Sequence, residues 1–228
     1  MSGADIVILS LLGGLLGLDT VSFPQAMLSR PIVASTISGA LLGDALSGLL
    51  VGATLELFAV ETLPFGASRY PEWGSASVIG GALFAKSTYG FDAGRLTTTV
   101  LIALTLAWIG GWSMVQVRKL NATWARSRHD AVASGARRTV IGLQVAGLVA
   151  DLVRGIVVTA VGLVVFAPLQ TLLLGTWGSS APLSRAVVVG AAGAVSLGAV
   201  YKLFHAIPGF AWQFLVGVAA GLAMVILA

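Results

Sequence analysis

The chain carries two kinds of apolar run, and the contrast between them limits what it can fold into. In the second half the runs are long: Thr97–Val117, Thr139–Phe166, Ala186–Phe204 and Phe210–Leu227. A helix of about 20 apolar residues crosses a bilayer, so each run reads as a spanning helix, Thr139–Phe166 with length to spare for tilting. In the first half the runs are short: Ile6–Leu18, Pro31–Gly43, Ala45–Val60 and Ser75–Ala85. Asp19, Pro24, Arg30-Pro31, Asp44 and the Glu61–Trp73 stretch interrupt them. Short segments broken by Gly and Pro are what re-entrant hairpins and broken helices look like in sequence. The backbone groups freed at such breaks need protein or a water-filled cavity, because lipid cannot satisfy them. Irregularity at that depth points to a substrate site; the alternative is a set of ordinary helix–loop–helix joints. The expected fold is an all-α polytopic membrane protein, with spanning helices plus re-entrant hairpins or broken helices.

Charge supports lipid as the solvent. Only 10% of the 228 residues are charged, against about a quarter in soluble domains, and the mean hydropathy is +0.96. Basic residues concentrate in Arg118–Arg138, where Arg118, Lys119, Arg126, Arg128, Arg137 and Arg138 face a single acid, Asp130. The positive-inside rule puts that segment in the cytoplasm and accounts for the high isoelectric point without invoking nucleic acid. Residues 1–228 are therefore expected to form one integral membrane domain. Residues 1–95 would be irregular and hairpin-rich, 96–117 a span, 118–138 a basic cytoplasmic loop and 139–228 helical spans. Met1–Asp5 has no basic residue, so the first apolar run is expected to stay in the mature chain rather than serve as a cleaved signal. Glycine pairs at four-residue spacing, Gly39/Gly43, Gly48/Gly52 and Gly217/Gly221, allow close helix packing.

The segment from Arg30 to Glu72 carries a more specific pattern. It contains Arg30-Pro31, Gly43-Asp44, Gly48, Gly52, Leu55-Glu56-Leu57, Pro64, Gly66-Ala67 and Pro71-Glu72. This pattern resembles the IIC component of mannose/fructose/sorbose-family phosphotransferase systems (PTS), most closely over residues 15–85. The resemblance implies a multi-pass permease subunit of the bacterial cytoplasmic (inner) membrane. Its implied partners are a IID membrane subunit and cytoplasmic IIA and IIB phosphoryl carriers, in a hetero-oligomer of several copies. It would move a hexose or amino sugar inward for phosphorylation.

A sugar presents a ring of hydroxyls, so its site needs donors and acceptors in a partly dry cavity. Gln25, Thr54, Glu56, Glu72 and Asp19 are the candidates. Glu56 lies within an apolar run, where a lone carboxylate needs a cavity or a partner; it either contacts sugar or pairs with Arg30 or Arg69. Glu72 is either a ligand or a solvated acid in an interfacial loop. Arg30 and Asp44 are read as structural. Gln144, Asp151 and Arg154 share one helix face, and the last two are expected to pair, with each other or across an interface; the alternative is a direct role in transport.

No catalytic residue, metal site or cofactor is expected. Cysteine is absent, the histidines are His129 in the basic segment and His205 at a span end, and neither has the setting of a phosphoryl carrier. Phosphate-binding, zinc-protease and serine-hydrolase motifs are missing as well. The alternatives to a permease are a scaffold or sensor derived from the same family, and, more weakly, a membrane enzyme using Glu56 or Asp151 as acid or base.

Overall fold

The computed structural model describes residues 1–20, 22–60, 69–87, 93–176 and 180–227. The helices are α1 (Gly3–Asp19), α2 (Pro31–Leu41), α3 (Ala45–Ala59), α4 (Trp73–Lys86), α5 (Ala93–Arg126), α6 (His129–Ala133), α7 (Arg137–Gly175), α8 (Ala181–Phe204) and α9 (Phe210–Leu227). Among the described residues there is no strand, and α5, α7 and α8 are long and apolar enough to cross a membrane. Pro64 and Gly66-Ala67, part of the family pattern, lie outside the described residues.

The breaks in the first half become short helices. With 11, 15 and 14 residues, α2, α3 and α4 rise about 16, 22 and 21 Å, short of the hydrocarbon thickness of about 30 Å. Helices α2 and α3 form a hairpin. It turns at Gly43, whose φ of +87° suits a residue without a Cβ. Pro31 occupies the first turn of α2, where its missing N–H costs nothing, and Asp44 caps α3 by accepting from Ser47 N–H at 3.0 Å. Glycines let the two arms touch: a Cβ at Gly52 would lie 2.7 Å from the Pro31 carbonyl oxygen.

Helix α4 is the centre of the molecule. It packs against α1, α2, α3, α5 and α7, and every residue from Trp73 to Phe84 is buried. Its sequence, WGSASVIGGALF, is small or apolar on all sides, as a fully enclosed helix requires. Hydroxyls of Ser35 and Ser38 on α2 donate to the Ser77 and Val78 carbonyl oxygens of α4 at 2.8 and 2.6 Å. Helix α8 packs on α3 and α5, while among the described elements α9 touches only α8, through rings of Tyr201, Phe204, Phe210 and Phe214.

Two helices overrun the apolar stretches read from sequence. Helix α5 continues to Arg126, and α6 and the start of α7 take most of what remains before Arg138. The basic segment expected as a loop is thus mostly helical. Lys, Arg, Ala and Asn leave lipid without leaving the helix, since propensity and hydropathy are separate properties; Gly135, at φ +71°, marks the actual turn. Helix α7 likewise continues past Phe166, through Pro168, to Gly175. The Gln170 amide there donates to Thr99 on α5 at 2.7 Å.

A candidate ligand cavity and the buried ion network beside it

Depth can be read from α5. The middle of its apolar stretch Thr97–Val117 is Ala107, and Glu72 N–H donates to the Ala107 carbonyl oxygen at 2.9 Å. Helix α4 therefore begins near the bilayer midplane, and the chain on either side of it meets other breaks there.

The first break is the connection from α1 to α2. Phe23–Pro24 is a cis peptide, and Gln25 and Met27 hold φ values of +59° and +60°, a left-handed region that non-glycine residues seldom occupy. Asp19, almost fully buried, holds this connection in place. Its two carboxylate oxygens accept from the backbone amides of Ala26 at 2.7 Å and Ser29 at 2.8 Å. One step on, Arg30 forms an ion pair with Glu56 of α3, and Glu56 also accepts from Ile32 N–H at 3.1 Å. That carboxylate secures the base of the hairpin and meets one of the unpaired amides at the start of α2.

The second break is at Glu72. Its side chain is fully buried and caps α4, with Oε1 accepting from Ser75 N–H at 3.0 Å; a carboxylate is favoured at the positive end of a helix. Oε2 lies 3.7 Å from Nη1 of Arg154 on α7. Arg154 in turn donates through Nε to Asp151 at 2.7 Å and through Nη1 to Ser113 of α5 at 3.3 Å. Ser22 donates to the second Asp151 oxygen at 2.7 Å. Two carboxylates thus share one guanidinium inside the molecule. Gly17 and Gly110 make the space: added Cβ atoms would come within 3.1 Å of Arg154 Nη2 and 3.0 Å of Glu72 Oε2.

Asp151 joins this sealed network to a cavity of about 780 Å³. The α1–α2 connection, Tyr70, α5 and α7 enclose it, and its polar wall includes Gln25, Tyr70, Arg118, Asn121, Gln144 and Asp151. Arg118 donates to the Tyr70 hydroxyl and lies 5.1 Å over its ring. Behind Thr20, Gln25 and Tyr70 a second space of about 210 Å³ reaches Asp19, Arg30 and Trp73. Amides, a phenol, a guanidinium and a carboxylate around one space supply donors and acceptors for a small polyhydroxylated ligand. Among the described residues, no group of three or more His, Asp or Glu side chains could hold a metal ion.

The sequence candidates are distributed unevenly around this site. Gln25 is in the wall of both spaces. Asp19 borders the smaller one, with its oxygens already bonded to backbone. Thr54 donates within α3 to the Leu50 carbonyl oxygen at 2.9 Å, and neither Thr54 nor Glu56 lines either space. Glu72 is neither solvated nor interfacial: Ser75 and Arg154 take its charge inside the core. Asp44 is a helix cap, and Asp151 and Arg154 pair with each other. Tyr70, Arg118 and Asn121 were missed as cavity residues. Arg118 and Asn121 follow Met114 and Val117 at helical spacing, a signal hidden once the basic segment is taken as a loop.

Short helices buried among spanning ones, with a polar cavity at the breaks, define the class: an all-α polytopic membrane protein with a broken-helix interior. Residues 4–174 match the family model described as the PTS system sorbose-specific IIC component, and the chain belongs to that family. It is 31% identical over 120 residues to the fructose permease IIC component of Bacillus subtilis (strain 168), covering 53% of this chain and 42% of that one. It is 25% identical over 150 residues to the mannose-specific EIIC component of Escherichia coli (strain K12), covering 66% and 54% respectively. The chain spans about half the length of these curated relatives. Its fold is similar to a chain in the cryoEM structure of the mannose transporter ManYZ with microcin E492, at a TM-score of 0.62 and 19% identity, covering 100% of this chain and 95% of that one.

Proposed function

We propose that this chain is the sugar-translocating IIC subunit of a mannose-family PTS. It would lie in the inner membrane of a bacterium as a multi-pass protein, with the basic ends of α5 and α7 in the cytoplasm. The substrate is a hexose or amino sugar held in the cavity between α5, α7 and the α1–α2 connection. The partners are a IID membrane subunit and the cytoplasmic IIB carrier, itself charged by IIA. The chain works by alternating access, and phosphorylation at the cytoplasmic face traps the sugar, so this subunit needs no phosphoryl-carrying residue. One observation carries the reading: a cavity lined by groups that match sugar hydroxyls lies between α5 and α7, toward their basic ends, in a member of a sugar-PTS family.

Gln144 and Asn121 face this cavity from α7 and α5, and each lost hydrogen bond to sugar weakens binding by about 0.5–1.5 kcal/mol. Calorimetry on the purified complex with IID, titrated with mannose, fructose and glucosamine, should therefore show one sugar binding at least roughly five times more weakly to the Asn121→Ala/Gln144→Ala variant. Thr54→Ala, remote from the cavity, should bind as the unaltered chain does. Uptake with phosphorylated carriers should fall in parallel. Absence of binding by any of the sugars would sink the permease reading, whereas binding without uptake would favour a sensor.

A further inference from the structure

Arg69 lies on the outside of the helix bundle at a depth where an arginine cannot face lipid cheaply. Its guanidinium rests 4.5 Å from the centre of the Trp108 ring, and the residue is exposed. Trp108 is one residue from the centre of the α5 apolar stretch, about 2 Å along the helix axis. A cation there needs a partner or water. Among the described residues Arg69 has no carboxylate partner. The water-accessible cavity does not serve it either, since Asn121 in that cavity projects about 140° around α5 from Trp108. Beside Arg69 runs an open groove of about 560 Å³ lined by Leu101, Leu104, Thr105, Trp108 and Trp112. Trp108 and Trp112 are 61% and 53% exposed.

We propose that this face of α5 docks a transmembrane helix of a different chain, which sets an Asp or Glu against Arg69 and fills the groove with apolar side chains. Among its described residues a second copy of this chain offers no free acid at that depth. Its described acids near that depth, Asp19, Glu56, Glu72 and Asp151, are all bonded within the chain. Cation–π contact with Trp108 holds the guanidinium over the groove, and a carboxylate arriving from outside completes its neutralisation. A lipid phosphate cannot substitute, because phosphates stay at the interface, half a bilayer away.

The test compares the full chain alone with its complex with the IID subunit proposed above, and only that choice of partner rests on the functional reading. Both are reconstituted in phosphatidylcholine brominated at mid-chain, which quenches tryptophans that touch acyl chains. The Trp108/Trp112 signal is the difference from a W108F/W112F variant. Quenching in the isolated chain that disappears in the complex is the expected result, together with at least a tenfold loss of complex for Arg69→Met and near-normal assembly for Arg69→Lys. Circular dichroism confirms that Arg69→Met stays helical. Equal quenching in both states makes the face lipid-exposed, and no quenching in either assigns the cover to this chain's own residues 61–68. Either result, or normal assembly of Arg69→Met, overturns the proposal. Loss of sugar binding with the protection intact would count against the permease reading and leave the docking face standing.

Discussion

Replacing Arg154 with Met removes one charge from the centre of the molecule and keeps most of the side chain's volume. The native network holds two carboxylates and one guanidinium, with Asp151 at 2.7 Å and Glu72 at 3.7 Å from Arg154. The side chains of Arg154 and Glu72 are 6% and 0% exposed, so water does little of the neutralising. Removing one partner of a buried pair costs about 3–5 kcal/mol, because the other charge is left uncompensated. Here two like charges are left, which puts the expected loss at the top of that range. At about 2–4 °C per kcal/mol for a chain of this length, the melting temperature should fall by roughly 10–20 °C.

Charge counting supplies the sharper contrast. Glu72→Gln leaves one carboxylate against one guanidinium, and the Gln oxygen can still accept from Ser75 N–H. Its cost should stay near the value of a single hydrogen bond, about 1 kcal/mol. Combining Glu72→Gln with Arg154→Met should recover part of what Arg154→Met alone loses, a non-additivity expected of groups in direct contact. The assay is thermal unfolding of the purified protein in detergent, followed by circular dichroism at one fixed scan rate. If Arg154→Met melts within about 3 °C of the unaltered chain, or Glu72→Gln is equally damaging, the network is open to water and the reasoning fails.

Two more substitutions probe the hairpin. Gly52→Ala would push a methyl to 2.7 Å from the Pro31 carbonyl oxygen, an overpacking worth about 1–3 kcal/mol in the same melting experiment. Gly190→Ala has open space around it and should gain slightly from helix propensity; equal effects at the two positions would refute the close α2–α3 contact. Glu56→Gln keeps an acceptor for Ile32 N–H but loses the charge that pairs with Arg30, whose side chain is 32% exposed. It should cost no more than about 1 kcal/mol and leave sugar affinity within about twofold; loss of sugar binding would return Glu56 to the cavity.

How much of this could be seen in the chain itself depended on which physical property carried the signal. Long apolar runs report lipid contact, and α5, α7 and α8 followed from them. Short interrupted runs report backbone that must be satisfied internally, and hairpins or broken helices were expected from those, with Asp44 among the breaks; the enclosure of α4 on all sides was not legible. Helix ends at the basic segment were not legible, since hydropathy falls at Val117 while the backbone hydrogen bonds continue to Arg126. Treating loss of hydropathy as loss of helix concealed Arg118 and Asn121, two of the polar groups in the cavity wall.

The acids show the same limit more sharply. An acid in an apolar run says that compensation exists, yet several kinds of compensation leave the same trace in sequence. Glu56 is matched by a guanidinium and a helix-terminal amide, Asp19 by two loop amides, Glu72 by its own helix start and by Arg154. All three were candidates for sugar as acceptors for its hydroxyls, and in the structure each also accepts from or pairs with protein groups. Asp151 differs. Its carboxylate is shared between Arg154 and Ser22, and it also borders the cavity, so among the described residues it is the one buried acid whose surroundings include both the ion network and the larger ligand space. Spacing alone had placed Asp151 on one face with Gln144 and Arg154. What spacing could not supply was the end of α4 arriving from 80 residues earlier in the chain, with a carboxylate that makes the pair a trio.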